Sequence, residues 1–151
     1  MQRTRGFSLT ELMIVVSIIG VVAAIAAFSW QRYVNNTNLR TAARELVTDM
    51  ANSKRRAVAE GVNYRMTITA GTPGNYTIEQ GNAAGTAYAV ISTKSPTANG
   101  AGLYINSTNI IDFQQRGTNS TGTIILKNSI NYTATITSTI TGKTYVTFTQ
   151  E

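Results

Sequence analysis

A single carboxylate, Glu11, stands at the edge of the most apolar part of the sequence. The run from Leu12 to Trp30 carries no charge, and a carboxylate beside such a segment is costly in lipid unless a cation meets it. The preceding Gly6–Phe7 bond offers one, because cleavage there would give Phe7 a new α-amine shortly before Glu11. We therefore expect the Phe7 amine of one subunit to neutralise the Glu11 carboxylate of a neighbouring subunit inside the membrane.

The composition excludes much catalytic and metal-binding chemistry. The 151 residues include no His and no Cys, which removes Cys–His pairs, Ser–His–Asp triads and zinc sites that need imidazole or thiolate. Seven acidic residues are scattered along the chain. Glu45 and Asp49 share a predicted helix face, where we expect an exposed edge rather than a catalytic dyad or a metal site. We therefore expect no enzymatic activity, no cofactor and no metal ion.

The apolar run must lie in an apolar environment. As a helix, Leu12–Trp30 would rise about 28 Å, close to the thickness of the hydrocarbon core of a bilayer. With Arg3 and Arg5 before it, the run also suits an ordinary secretory signal cut within Ala23–Ala27, or a single-pass anchor whose basic end is cytoplasmic. Neither alternative accounts for Glu11, or for the unbroken continuation of the run into a long helical pattern.

The residues around the Gly6–Phe7 bond resemble a known signal. The sequence from Arg5 to Leu12, RGFSLTEL, followed by MIVVSIIGVVAAIA, is similar to the class III signal of type IV pilins and type II secretion pseudopilins. The resemblance implies that a prepilin peptidase removes residues 1–6 by cleavage after Gly6, that Phe7 is N-methylated, and that Glu11 acts in assembly. It also implies that residues 7–30 span the bacterial inner membrane before assembly, and that the protein then enters a periplasmic or cell-surface filament.

The helical pattern continues to Glu60, and Gly61 is a natural stop. Within residues 31–61, apolar side chains recur every three or four positions, which predicts an amphipathic helix with its apolar face buried. Basic residues mostly occupy the opposite face. The apolar stripe comprises Leu39, Ala42, Ala43, Leu46, Val47, Met50, Ala57 and Val58.

Residues 62–151 are rich in Thr, Asn, Gly and Ile and predict short strands joined by turns. Thr141-Gly142-Lys143 is expected to form a hairpin tip, and Thr144, Val146 and Phe148 to share one face of the last strand. We expect an α+β, pilin-like fold: a long N-terminal helix, transmembrane in its first half and amphipathic in its second, packs on a mainly antiparallel C-terminal β domain. The predicted strands are Val62–Ala70, Tyr76–Gln80, Tyr88–Thr93, Leu103–Asn106, Ile110–Gln115, Thr123–Lys127, Ile130–Ile140 and Thr144–Thr149.

Motifs in the C-terminal part indicate which branch of the pilin-like family the chain resembles. Ile111–Gly117 and Thr121–Leu126 are similar to GspH/FimT-type pseudopilins, whose C-terminal half contains apolar-x-Phe-x-x-x-Gly and then Gly-Thr-apolar-x-apolar. The absence of Cys argues against major pilins that close a C-terminal loop with a disulfide. The resemblance implies a structural minor pilin or pseudopilin, which packs with other pilin subunits into a type IV pilus or a type II secretion pseudopilus through the inner-membrane assembly machinery.

An alternative is a DNA-binding pilus subunit for natural transformation. The net charge of +6 is basic, and Arg116, Lys127 and Lys143 in the β region would contact phosphates. The hairpin tip of family members implicated in DNA uptake resembles Gly-Arg-x-Arg, of which this chain keeps only one cation, Lys143. Successive helical residues point in different directions, so the densest basic cluster, Lys54–Arg56, cannot form one patch. It is expected to be a solvated rim near the β domain or a contact with anionic headgroups before assembly.

Overall fold

The computed structural model describes residues 8–82, 85, 87–100 and 102–150. Its internal contacts divide the chain into two units, residues 1–34 (the N-terminal unit) and residues 35–151 (the C-terminal unit). One helix, α1, runs from Leu9 to Glu60 and belongs to both. The predicted leader, residues 1–6, and the predicted methylation site Phe7 lie outside the described residues.

In the N-terminal unit, α1 begins directly after Ser8, which caps it. The amide of Leu12 donates to the carbonyl of Ser8 at 3.2 Å, and the amide of Glu11 donates to the Ser8 hydroxyl at 3.4 Å. A side-chain oxygen of this kind satisfies an amide that has no partner within the helix. Glu11 lies in the first turn, where the helix dipole favours a negative charge. The apolar side chains that follow are exposed within this unit.

In the C-terminal unit, one face of α1 is buried, as the apolar stripe predicts. Leu39, Ala42, Ala43, Leu46, Met50 and Ala57 are at most 3% exposed. The helix ends at Glu60, and Gly61 follows with a φ of +66°, which confirms the predicted stop. The prediction is wrong for Val58, which is 52% exposed. Asp49 and Ser53 are buried instead, and Asp49 meets polar partners from the strands, Tyr76 and Lys94.

The strands form two four-stranded sheets rather than one surface. Sheet 1 has the order β3-β2-β1-β5 and sheet 2 the order β4-β6-β7-β8, and all neighbouring strands are antiparallel. A short 3₁₀ turn, Pro96–Asn99, follows β3. The strands are β1 (Tyr64–Thr69), β2 (Asn75–Gly81), β3 (Tyr88–Lys94), β4 (Tyr104–Ile105), β5 (Asn109–Phe113), β6 (Gly122–Lys127), β7 (Tyr132–Ser138) and β8 (Thr144–Gln150).

The core is built from alternating positions of these strands, as expected when one face of a sheet is covered. Val146 and Phe148 of β8 are half-buried and pack against this core, and Thr144 shares their face, as predicted. The apolar strand side chains that are at most 1% exposed are Tyr64, Met66, Ile68, Ile105, Ile111, Phe113, Ile124, Leu126, Ala134 and Ile136.

Two turns set the limits of β7. At its end, the amide of Thr139 donates to the carbonyl of Lys143 at 3.0 Å, which closes the predicted hairpin to β8. At its start, the Asn128 side chain accepts from the amides of Ile130 and Tyr132 at 3.2 and 2.9 Å, and Asn131 has a φ of +61°. Because Asn favours such turns, β7 starts at Tyr132 and not at Ile130.

Candidate functional site

The predicted assembly residue, Glu11, lies at the start of an exposed apolar helix. It is itself exposed, and the following turn presents Leu12, Met13, Ile14 and Val15, each 44% exposed or more. Among the residues that the structure describes, no cation forms an ion pair with Glu11. Gly6 and Phe7, the predicted processing residues, lie outside the described residues.

The apolar part of α1 has the length and composition of a membrane span. An 18-residue window in the helix has a mean hydropathy of 2.7, and none of that window is buried within the chain. The one described hydroxyl in its middle, Ser17, donates to the carbonyl of Met13 at 2.8 Å. The polar group is thus satisfied within the helix, as a low-dielectric environment requires.

The candidate DNA-binding cations lie in two places: Arg116, in the turn after β5, and Lys143 are near the hairpin tip, and Lys127 is at the other end of sheet 2. Arg116 and Lys143 are exposed, and their neighbours Gly117 and Gly142 are in close contact: a Cβ atom on Gly142 would lie 2.8 Å from the Gly117 carbonyl oxygen. Lys127 is the last residue of β6 and pairs with Thr133, whereas Gly122, the first residue of β6, pairs with Ser138 beside the hairpin. Lys127 therefore lies about 17 Å along the strand from the hairpin end. DNA binding by Arg116, Lys127 and Lys143 stays a prediction.

Lys54 differs from the rest of its basic cluster. Arg55 and Arg56 are exposed, as expected, whereas Lys54 is half-buried, and its ammonium donates to the carbonyl of Gly142 at 3.1 Å. Lys54 therefore links α1 to the hairpin tip instead of belonging to a solvated rim. It also lines an open groove of about 760 Å³ that explains the exposure of Val58; the other lining residues are Val47, Met50, Ala51, Arg55, Ala59, Asn119, Gly142 and Thr144.

Glu45 and Asp49 belong to an ionic network that the sequence did not reveal. The Lys94 ammonium on β3 lies 2.8 Å from Asp49 Oδ2 and 3.2 Å from Glu45 Oε1. Tyr76 donates its hydroxyl proton to Asp49 Oδ2 at 2.8 Å, and Asn99 donates to Glu45 Oε2 at 2.6 Å. The expectation of an exposed edge is wrong for Asp49, which is 8% exposed, because Lys94 and Tyr76 supply partners from strands distant in sequence.

The electrostatics of this network are those of a structural clamp. The hydrogen bond from Asn99, followed by Lys94, holds the pKa of Glu45 below its usual value. The hydrogen bond to Asp49, and after it the hydrogen bond to Glu45, raises the pKa of Lys94. Burial raises the pKa of Tyr76, and the hydrogen bond to Asp49 raises it further. The three shifts favour an ionised Glu45, a charged Lys94 and a neutral Tyr76, the forms that these hydrogen bonds require, so the network fastens β2, β3 and the 3₁₀ turn to α1.

A second polar cluster fastens the end of α1 to sheet 1. Tyr64 donates to Glu60 Oε2 at 2.6 Å, Arg56 pairs with Glu60 Oε1 at 2.9 Å, and Gln80 donates to Glu60 Oε2 at 2.7 Å. Burial, then the Glu60 hydrogen bond, raises the pKa of Tyr64 to about 12. Among the described residues there is no group of three acidic side chains that could hold a metal ion.

Comparisons with known proteins agree with this geometry. The family model described as the prokaryotic N-terminal methylation motif matches residues 1–27. Two sequences named fimbrial protein, from Pseudomonas aeruginosa, are each 43% identical over 61 residues, which cover 40% of this chain and 39% of theirs. The chain thus spans about two fifths of the length of the curated relatives it matches.

The fold has a counterpart among solved structures. The minor pseudopilin EpsH from the type 2 secretion system of Vibrio cholerae matches with a TM-score of 0.60, over 73% of this chain and 96% of that chain. The sequence identity is 11%, so the likeness concerns the fold. The expected architecture, a long N-terminal helix packed on antiparallel strands, is confirmed.

Proposed function

We propose that this chain, which is type IV pilin-like in its N-terminal motif and in its fold, is a minor pilin or pseudopilin, a structural subunit of a type IV pilus or of a type II secretion pseudopilus. The observation that carries the proposal is Glu11, a carboxylate without a described ion-pair partner at the head of an apolar helix that its own unit leaves exposed. Such a helix needs lipid or other subunits around it.

Processing prepares the chain for assembly. In this proposal a prepilin peptidase cuts after Gly6, and the new amine of Phe7 is methylated. The mature chain is held in the bacterial inner membrane by residues 7–30 until the inner-membrane machinery moves it into a periplasmic or cell-surface filament. The match of the methylation motif to residues 1–27 supports this sequence of events.

Two interactions then hold the filament together. Exposed apolar side chains between Leu9 and Ile25 pack against the same segment of other subunits and exclude lipid. The Glu11 carboxylate meets the Phe7 amine of a neighbour, which fixes the register of one helix against the next. Removing one partner of such a desolvated ion pair leaves an uncompensated charge and costs roughly 3–5 kcal/mol.

The test is the Glu11→Gln variant, which keeps the shape of the side chain and removes its charge. We expect the variant to be processed and membrane-bound but absent from sheared filaments. The matched control is Glu60→Gln, which removes a carboxylate from the other end of α1 and should leave incorporation unchanged. Filament fractions are compared by immunoblot, and intact mass reports whether the chain begins at a methylated Phe7.

Two results would contradict the proposal. A native chain cut near Ala26, or left uncut, would show that the N-terminal segment is an ordinary signal or anchor. A correctly processed Glu11→Gln chain that enters filaments as well as the Glu60→Gln control would show that the carboxylate does not act in assembly.

A further inference from the structure

The two ends of the apolar segment present different side chains. At the C-terminal end, Trp30 and Tyr33 are 70% and 66% exposed. They lie three positions apart, on one face of the helix, with ring centroids 6.4 Å apart and an interplanar angle of 43°. Arg32 lies between them in sequence and is also exposed. These side chains therefore combine apolar area, hydrogen-bonding groups and positive charge at one level of the helix.

The N-terminal end carries no such group among its described residues. Ser8, Thr10 and Glu11 are small or acidic and exposed, and the sequence has no aromatic residue between them and Ala26. The helix is thus apolar through its middle, aromatic and basic at one end, and hydroxylated and acidic at the other.

We propose that Trp30 and Tyr33 bind the headgroup layer of a phospholipid bilayer, and thereby hold the helix at a depth that keeps Glu11 in water at the opposite boundary. This inference rests on the proposed function, because it requires the helix to span a membrane before assembly. Indole and phenol rings favour the headgroup layer, since each has an apolar body and a polar group that needs a partner. Arg32 adds attraction to anionic headgroups.

The spacing along the helix suits this arrangement. From Glu11 to Trp30 an α-helix rises about 28 Å, and the hydrocarbon core of a typical bilayer is about 30 Å thick. When Trp30 lies among the headgroups of one leaflet, Glu11 therefore lies at the boundary of the other. A shift of one helical turn towards Trp30, about 5.4 Å, would take the rings out of the headgroups and bring the carboxylate into hydrocarbon.

Both of these changes oppose the shift, so the aromatic pair and the carboxylate together fix the depth of the helix in the bilayer. The subunit stays at its depth until an assembly partner offers a cation to Glu11. A neighbouring helix could instead cover the aromatic pair in the membrane; its rings would then sit in a contact that excludes lipid. The polar groups of the two rings favour headgroups over such a contact, because an indole N–H or a phenol O–H that is buried without a hydrogen-bond partner is costly.

Fluorescence gives a direct test, because Trp30 is the only Trp in the chain. The intact chain is placed in vesicles of phosphatidylethanolamine and phosphatidylglycerol that carry bromine near the headgroup, at the middle or at the end of the acyl chains. We expect the largest loss of fluorescence with bromine near the headgroup. The matched control combines Trp30→Phe with Ile25→Trp, which moves the indole about 7.5 Å deeper and should shift the largest loss to deeper bromine.

Labelling measures the other end of the helix. The chain contains no Cys, so the single variants Glu11→Cys and Val16→Cys each introduce one thiol. In the same vesicles, we expect a membrane-impermeant maleimide on the N-terminal side to label the Glu11→Cys variant rapidly. The Val16→Cys variant, about 7.5 Å further along the helix, should be protected.

The outcomes separate this inference from the proposed function. If alkaline carbonate removes the wild-type chain from the vesicles, the chain does not span the membrane, and both are overturned. If the chain stays inserted but Trp30 is quenched most at the bilayer centre, or by no bromine at all, only the headgroup anchor is overturned. Equal labelling of the two cysteine variants would likewise contradict the depth assigned to Glu11.

Discussion

Replacing Lys94 by Met tests whether the ionic network holds sheet 1 to α1. The change keeps the length of the side chain and removes an ammonium that lies 2.8 and 3.1 Å from the two carboxylate oxygens of Asp49 and 3.2 Å from Glu45. Among the described side chains, Asp49 would be left with the hydroxyl of Tyr76 as its hydrogen-bond partner. A buried carboxylate that loses its cationic partner strongly destabilises the folded state.

The magnitude follows from the exposure of the three side chains. Breaking a fully buried pair costs about 3–5 kcal/mol, whereas an exposed pair contributes about 0.2–1 kcal/mol. The Asp49 side chain is 11% exposed, but those of Lys94 and Glu45 are 37% and 39% exposed. Solvent therefore screens part of the network, and we expect Lys94→Met to lower the free energy of unfolding by about 2 kcal/mol, between these limits.

Urea unfolding of residues 35–151, which form one compact unit, is the assay. With a typical slope of 1–3 kcal/mol per molar urea, the midpoint should fall by about 1 M. The control is Arg56→Met, which breaks the more exposed pair with Glu60 and should cost below about 1 kcal/mol. A cycle with Asp49→Asn should give a coupling energy of about 1–2 kcal/mol between Lys94 and Asp49.

The reasoning would be refuted in either of two ways. Lys94→Met could cost no more than Arg56→Met, which would mean that solvent stabilises the Asp49 carboxylate as well as the ammonium does. Alternatively, the cycle could give no coupling, which would mean that any loss comes from packing of the Lys94 methylene groups.

Two further predictions concern pH and the hairpin tip. The pKa of Glu45 is lowered in the folded chain, so its stabilising contribution is present above the unfolded value near 4.5 and is lost as pH falls below it. Between about pH 6 and pH 3, the urea midpoint of Glu45→Gln should therefore fall less steeply than that of the wild-type chain. The same slope for both chains would contradict this. Gly142→Ala would place a Cβ against Lys54 Nζ and 2.8 Å from the Gly117 carbonyl oxygen at a φ of +75°, whereas a Cβ on Gly61 meets nothing within 4 Å. In the same assay Gly61→Ala should cost about 1–2 kcal/mol, from backbone strain alone, and Gly142→Ala clearly more; equal losses would show that the hairpin tip moves freely.

The sequence predicted the elements whose signals are local. The spacing of Leu39, Ala43 and Leu46 identified the buried face of α1, because helical periodicity depends only on near neighbours. Gly61 and the Gly142 turn set element ends correctly for the same reason. The alternation in β8 also placed Phe148 on the inner face.

What the sequence did not predict depends on residues far apart in the chain. Asp49 was expected at an exposed edge because its partners, Lys94 and Tyr76, come from strands that follow much later. The division into two sheets is of the same kind: nothing local to β1 indicates that its second neighbour is β5. Lys127 belongs to the candidate cations by charge and composition, but only the register of β6 shows how far it lies from the hairpin tip.

The order of the strands in the two sheets determines how far apart in sequence the pairing strands are, and hence how readily each sheet forms. In sheet 2, β6, β7 and β8 are consecutive and pair as successive hairpins, so each pairing closes a short loop at a small cost in chain entropy. In sheet 1, β1 must find β5 across the whole of β2, β3 and β4, which is a slow, non-local event. As the chain folds, we therefore expect the β6–β7 and β7–β8 hairpins to form before β5 pairs with β1.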